Sequence, residues 1–174
     1  MKRGGLPGVV IAFLVGGIGG VASAHWAIDR AATASSGSWR SWIGNGPYAS
    51  AHYLLGGQLP PARGVDLLYE ADRDGEGQPL DSSCDYVLSG SAIGARWWRI
   101  SVPGETGAIN SAGAIGEPDG TLKLTVSRST LPGNRMSPGD AGRYTLLLTL
   151  KADSPRRGGI SVVELPRITR GECR

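Results

Sequence analysis

The sequence predicts a mainly β exported domain, a β-sandwich or jelly-roll with one short helix, carried behind an N-terminal transmembrane helix. Three observations carry that reading. Lys2 and Arg3 precede an uncharged run from Leu6 to Ile28. Several later segments alternate apolar and polar residues with a period of two. Between them lie turn-forming stretches, in a chain with 28 glycines and 11 prolines among 174 residues, which leaves little room for long helices.

The N-terminal run is about 23 residues, so as a helix it rises roughly 34 Å, enough to cross a hydrocarbon core. Its basic flank stays cytoplasmic by the positive-inside rule, which places the chain beyond Asp29 on the far side of the membrane. His25 and Trp26 fall where an interfacial anchor belongs. A cleaved signal is the competing reading, with Ala22-Ser23-Ala24 as the cleavage site, but the apolar run continues past it through Ile28. Both readings export the same domain. Gly8, Ala12, Gly16, Gly20 and Ala24 recur every fourth residue and share one helix face. Such a face lets another transmembrane helix approach closely, either a second copy or a partner subunit. The abundance of glycine in this chain is the plainer account.

The expected organisation is an anchor over residues 1–30, a linker over 31–45 rich in small residues, and one domain over 46–174. Pro47 to Leu59 reads as the short helix, opened by Pro47 and loosened by Gly56-Gly57. Val65 to Ala71 follows as a strand, with Val65, Leu67, Tyr69 and Ala71 on one face, and Asp74-Gly75 turns the chain. Further strands are expected over Asp85–Ser89 and Arg96–Val102. Leu122, Leu124 and Val126 mark the next, entered through Asp119-Gly120. Arg143–Leu150 points Tyr144, Leu146, Leu148 and Leu150 inward, and Ile160–Leu165 closes the set before Pro166.

Composition narrows the functional classes. The net charge is +3, the basic residues are scattered, and Arg156-Arg157 and Arg167/Arg170/Arg174 are loose clusters without interleaved aromatics, which disfavours nucleic acid as a partner. Cys84 and Cys173 are an even pair in an exported chain, so a disulfide is expected over two unrelated thiols. Their spacing does not suit a metal site. Asp72-Arg73-Asp74-Gly75-Glu76 looks like a fragment of a calcium loop but lacks the distal glutamate, and a hairpin turn explains it better. Asp66, Glu70 and Asp72 share a strand face that reads as solvated. His25 and His52 are the only histidines, too few for a catalytic triad, and no catalytic residue, cofactor motif or metal ligand set is singled out. Trp97 and Trp98, adjacent on a strand, must point to opposite faces. Core packing of both is the first expectation, and contact with a ligand or partner the second.

The stretches LYEADRDGEGQPLDSSCDYVLSG, ARWWRISV, GRYTLLLTL and LPRITRGEC, in this order, resemble the membrane-anchored branch of the family called domain of unknown function 1214. The similarity runs from about Trp42 to Arg174. It implies a β-sandwich, a bacterial envelope location and association with the companion family numbered 1254, and it implies no established reaction. The chain departs from the pattern after the tandem tryptophans, and again at Arg135 and near Lys151, where aromatics are usual. A pocket lined by those aromatics in relatives would be altered here. The function expected is a non-enzymatic, periplasmic partner-binding domain or accessory subunit of an envelope complex. The alternative is a periplasmic binder, or processor, of a small or apolar ligand.

Overall fold

The computed structural model of the chain describes residues 6–32, 34–42, 47–57, 66–130, 132–140, 142–151 and 164–174. It is mainly β, as the alternating pattern requires, and divides into two compact units. One unit holds two helices, α1 (Leu6–Arg30) and α2 (Pro47–Leu55). The other holds the strands β1 (Ala34–Ser36), β2 (Trp39–Ser41), β3 (Asp66–Ala71), β4 (Cys84–Ser91) and β5 (Trp97–Ser101). It continues with β6 (Ala108–Asn110), β7 (Thr121–Val126), β8 (Arg135–Met136), β9 (Leu146–Lys151) and β10 (Arg167–Cys173).

The strands form a six-stranded sheet in the order β1-β2-β3-β9-β5-β6 and a four-stranded sheet in the order β10-β4-β7-β8. All pairs are antiparallel except β7 with β8. The most apolar strand is central to its sheet: β9 pairs with β3 from Asp66↔Lys151 to Ala71↔Leu146, and with β5 from Trp97↔Lys151 to Ser101↔Leu147. In the other sheet β4 is flanked by β10 and β7.

Period two decides what is buried. Leu146, Leu148 and Leu150 are buried while Leu147 and Thr149 between them are half-buried. Tyr69 and Ala71, Trp98 and Ile100, and Leu122, Leu124 and Val126 follow the same rule. Inward residues of both sheets join one cluster, with Tyr86, Leu88 and Ile168 facing it from the smaller sheet, which makes the unit sandwich-like. Each fully buried aliphatic side chain contributes roughly 1.5–3 kcal/mol of transfer free energy. At the turn before β7, Asp119 Oδ1 accepts from the N–H (2.9 Å) and the hydroxyl (2.6 Å) of Thr121, and Gly120 takes φ +79. These bonds hold the Asp119 carboxyl below the usual range.

Several boundaries differ from expectation. The stretch expected as a linker contains the β1–β2 hairpin, with Gly37 at φ +59 at the first central position of its turn. The hairpin joins the larger sheet through Arg40↔Glu70, the Ser41 hydroxyl donates to the Leu68 carbonyl (2.6 Å), and Trp39 is buried with its indole N–H donating to the Pro166 carbonyl (2.7 Å). A small, polar composition suits a tether, but one buried tryptophan is enough to fix a short hairpin when the sheet supplies its partner. The helix ends at Leu55 rather than Leu59, at the Gly56-Gly57 turn, and residues 58–59 lie outside the described residues. Most of the expected strand over Ile160–Leu165 also lies outside them, and the last strand instead follows Pro166 as β10. That strand carries a single buried apolar residue, Ile168, so period two could not mark it; it exists through its pairing with β4.

The alternation along β9 has a direct test. Leu148→Ala should cost about 2–5 kcal/mol and Leu147→Ala under about 1 kcal/mol in denaturant unfolding of the full chain in detergent micelles. Equal losses at the two positions would contradict the assigned faces.

Candidate functional site

Three features carry the chemistry worth weighing: the uncovered helix α1, the tryptophan pair of β5, and the knot of polar groups around β10. α1 is 25 residues long, and its Val10–Ile28 stretch has mean hydropathy 1.6. Every described side chain from Gly8 to Trp26 is exposed, including Phe13 (80 %) and Ile18 (69 %). On the small-residue face, a Cβ added at Gly8, Gly16 or Gly20 meets nothing within 4 Å, and Ala12 and Ala24 are exposed, so the face is open along its length. The Arg30 guanidinium lies 4.3 Å from the ring centre of Trp26 at the end of the helix.

β5 splits its two indoles. Trp98 is buried in the sandwich core, whereas Trp97 faces the opposite side of the sheet and is only half-buried. The two indoles lie on opposite faces as expected, but the outer face of β5 is only partly covered, so Trp97 is not packed into a core. Its ring lies 5.7 Å from Lys151 Nζ, directly across the β5–β9 pair.

The polar knot combines the expected cysteine pair with residues that sequence reading left apart. Cys84 and Cys173 form a disulfide, and they are register partners in the β4–β10 pair beyond a shift between Arg170 and Cys173. The cross-link closes a loop of 89 residues, for which chain entropy gives about 4–5 kcal/mol as an upper figure. Past it, the Arg174 N–H donates to the Ser83 carbonyl (2.8 Å), and its guanidinium reaches Asp85 (3.4 Å) and the Ser129 hydroxyl. The turn after β3 docks on the same strand: the Gly75 N–H donates to the Ile168 carbonyl (2.8 Å).

Asp74 is the hinge of that docking. Only 3 % exposed, it accepts from the N–H groups of Glu76 (3.0 Å) and Gln78 (2.9 Å) through Oδ1, and from Arg170 Nε (2.8 Å) through Oδ2. Arg170 also donates to the Pro79 carbonyl (2.5 Å) and lies 5.5 Å from the Tyr86 ring centre. Burial works against the Asp74 charge, but the Gln78 N–H, Arg170 and the Glu76 N–H outweigh it and hold the carboxyl below its usual range. With both oxygens engaged inside the protein, this aspartate closes a turn. Among the described residues, no group of three or more His, Cys, Asp or Glu side chains is placed to hold a metal ion.

Beside the ion pair, the Tyr86 hydroxyl accepts from the Asp81 N–H (2.9 Å), and its ring meets Tyr144 edge-on at 6.1 Å. The buried Tyr144 hydroxyl has no hydrogen-bond partner among the described residues, and burial, then Tyr86, pushes its titration upward. Of the carboxylates expected on one strand face, Asp72 binds Arg40 (2.7 Å), and Glu70 lies opposite Arg40 in register. His25 is exposed on α1, and His52 is half-buried on α2 with its ring 5.4 Å from that of Tyr53. Asp74-Gly75 announced a turn in the sequence, but nothing local signalled that its carboxylate would be buried against an arginine 96 residues away.

Breaking this pair should be costly. Arg170→Ala leaves Asp74 buried and unpaired and should destabilise the chain by about 3 kcal/mol, the low end for such pairs because the Arg170 side chain is 30 % exposed. Because the folded carboxyl titrates below its unfolded value, its contribution is full above roughly pH 4 and is lost as the pH falls through the folded value. Asp74→Asn should start less stable and lose less between neutral and acid pH. A parallel pH profile for both proteins would rule out this role.

No family model and no curated protein matches the chain. Among solved structures it is similar to an uncharacterised protein from Burkholderia cenocepacia, with 15 % identity and a TM-score of 0.52 over 80 % of this chain and 36 % of that one. It is also similar to a protein from Vibrio parahaemolyticus, with 17 % identity and a TM-score of 0.49 over 71 % of this chain and 34 % of that one. The chain thus spans about a third of the length of these structures, at 36 % and 34 %, and the likeness to the Burkholderia protein, at 15 % identity, speaks for the fold alone.

Proposed function

We propose that this chain is a single-pass, membrane-anchored β domain on the periplasmic side of a bacterial inner membrane, acting by binding a partner as an accessory subunit of an envelope complex. The observation that carries the reading is α1 itself: a 25-residue apolar helix whose described side chains stay uncovered from Gly8 to Trp26. In water such a surface is untenable, whereas a bilayer solvates it and satisfies no backbone group that the helix does not already satisfy. Lys2 and Arg3 favour a cytoplasmic N-terminus, and the Cys84–Cys173 bond suits an oxidising compartment beyond the membrane.

The open face of Gly8, Ala12, Gly16, Gly20 and Ala24 is the proposed contact with a second transmembrane helix, from another copy or from a partner subunit. The partner we favour belongs to the family numbered 1254, in line with the proposed membership of the 1214 family. A fold of this kind as 36 % of a longer Burkholderia chain is in keeping with a domain that works beside another. A second reading, a binder of a small molecule, rests on the half-buried Trp97 beside Lys151 and is tested by quenching of tryptophan fluorescence.

Alkaline phosphatase fused after Arg174 should be active, since it works only outside the cytosol, and the mature chain should keep its N-terminus. A mature protein beginning at His25 would replace the anchor with a signal peptide. Extraction in mild detergent should bring down a second membrane protein or a second copy, and Gly16→Ile should weaken that association by tenfold or more, about 1.4 kcal/mol. An isolated monomer with an indifferent Gly16→Ile variant would count against the reading.

A further inference from the structure

The second helix has an apolar surface that the packing of its own unit does not use. At about 100° per residue, Leu54, Ala51, Leu55 and Tyr48 fall within one arc of about 120° on α2, diametrically opposite the buried Ala49 and Tyr53. Tyr48 is 52 % exposed, Leu54 63 % and Leu55 70 %. The helix PYASAHYLL contains no lysine, arginine, aspartate or glutamate. A nine-residue helix that is apolar on both sides serves two apolar environments, and among the described residues protein covers only one of them.

The position of α2 says what the other is. α2 packs against α1 within the same unit. Along α1 every described side chain from Gly8 to Trp26 is exposed, and cover begins only at Ala27 and the buried Ile28. Contact between the helices is therefore confined to the last turns of α1, at the end of its apolar stretch, where Trp26 and Arg30 stack as an interfacial pair. That level is the boundary of head groups and acyl chains, where a tyrosine and two leucines without nearby charge are favoured.

We propose that α2 is an interfacial helix, its Tyr48–Ala51–Leu54–Leu55 face seated in the head-group layer of the bilayer that α1 crosses. The inference rests on the membrane-anchored reading of α1. Two contacts with lipid, one spanning and one lying flat, then fix the direction in which α1 leaves the membrane, and a single spanning helix alone would swivel. Because α2 carries no lysine, arginine, aspartate or glutamate and His52 lies outside the exposed arc, the seating depends on apolar burial and is indifferent to the proportion of anionic lipid.

The test uses the full chain, native disulfide intact, in vesicles of phosphatidylcholine with and without phosphatidylglycerol. Nitroxide labels are placed singly at Leu54→Cys and Leu55→Cys, with Val15→Cys as the mid-span reference and Glu117→Cys as the aqueous one. Collisions with oxygen and with a water-soluble nickel chelate then report depth. The labels at 54 and 55 should lose nickel collisions relative to 117 while keeping oxygen collisions, at a depth shallower than 15 and the same in both lipid mixtures. Nickel access at 54 and 55 equal to that at 117, with 15 still deep, would refute the interfacial helix and leave the anchor standing. Shielding from both reagents would refute it in favour of a protein covering the face. Nickel access at 15 would refute the anchor and this inference together.

Discussion

The closure of β10 against β4 is the constraint on which the smaller sheet depends. This strand is at the edge of its sheet, near the C-terminus, and has one buried apolar side chain, Ile168, so hydrophobic burial alone gives it little hold. Three non-local devices hold it instead: the Cys84–Cys173 bond, the Asp74–Arg170 pair and the Gly75–Ile168 hydrogen bond. They act along one strand, so each shortens the excursions open to the others. The turn carrying Asp74 and Gly75 also covers part of the outer edge of β10, where unpaired backbone groups would otherwise invite another strand.

This arrangement ties folding to compartment. Without an oxidant the tail would rely on an ion pair whose arginine is partly solvated and on a few edge hydrogen bonds. Forming the bond removes the entropy of closing a loop between cysteines 89 residues apart and holds β10 at the sheet edge. On the proposed reading, the apolar N-terminal helix both delivers the chain to such a compartment and keeps it there.

Much of the sandwich was readable from residues. Leu146, Leu148 and Leu150 alternate with Leu147 and Thr149 so cleanly that the strand and its faces follow from period two. Leu122, Leu124 and Val126, and Tyr69 and Ala71, behave alike. The misses share one cause. Trp39 within a run of small polar residues, the two-residue β8, and the charged β10 are strands because of what they pair with, and a partner strand leaves no trace in a local pattern. The tryptophan pair shows the same limit: period two separates Trp97 from Trp98 but does not say which layers lie above and below the strand.

Sequence alone determined the features that depend on a residue and its near neighbours: the apolar helix, the strand faces, the turns at Gly120 and Asp74, and the parity of the cysteines. Tertiary structure alone decided that Asp74 is buried against Arg170, that Trp97 faces outward beside Lys151, and that α2 presents a second apolar arc. The reason is physical. Periodicity fixes the direction of a side chain relative to its own backbone, but its environment is supplied by distant segments, 96 residues away for Asp74 and Arg170. Burial, charge pairing and exposure are properties of that meeting, and they come into being only when the chain closes on itself.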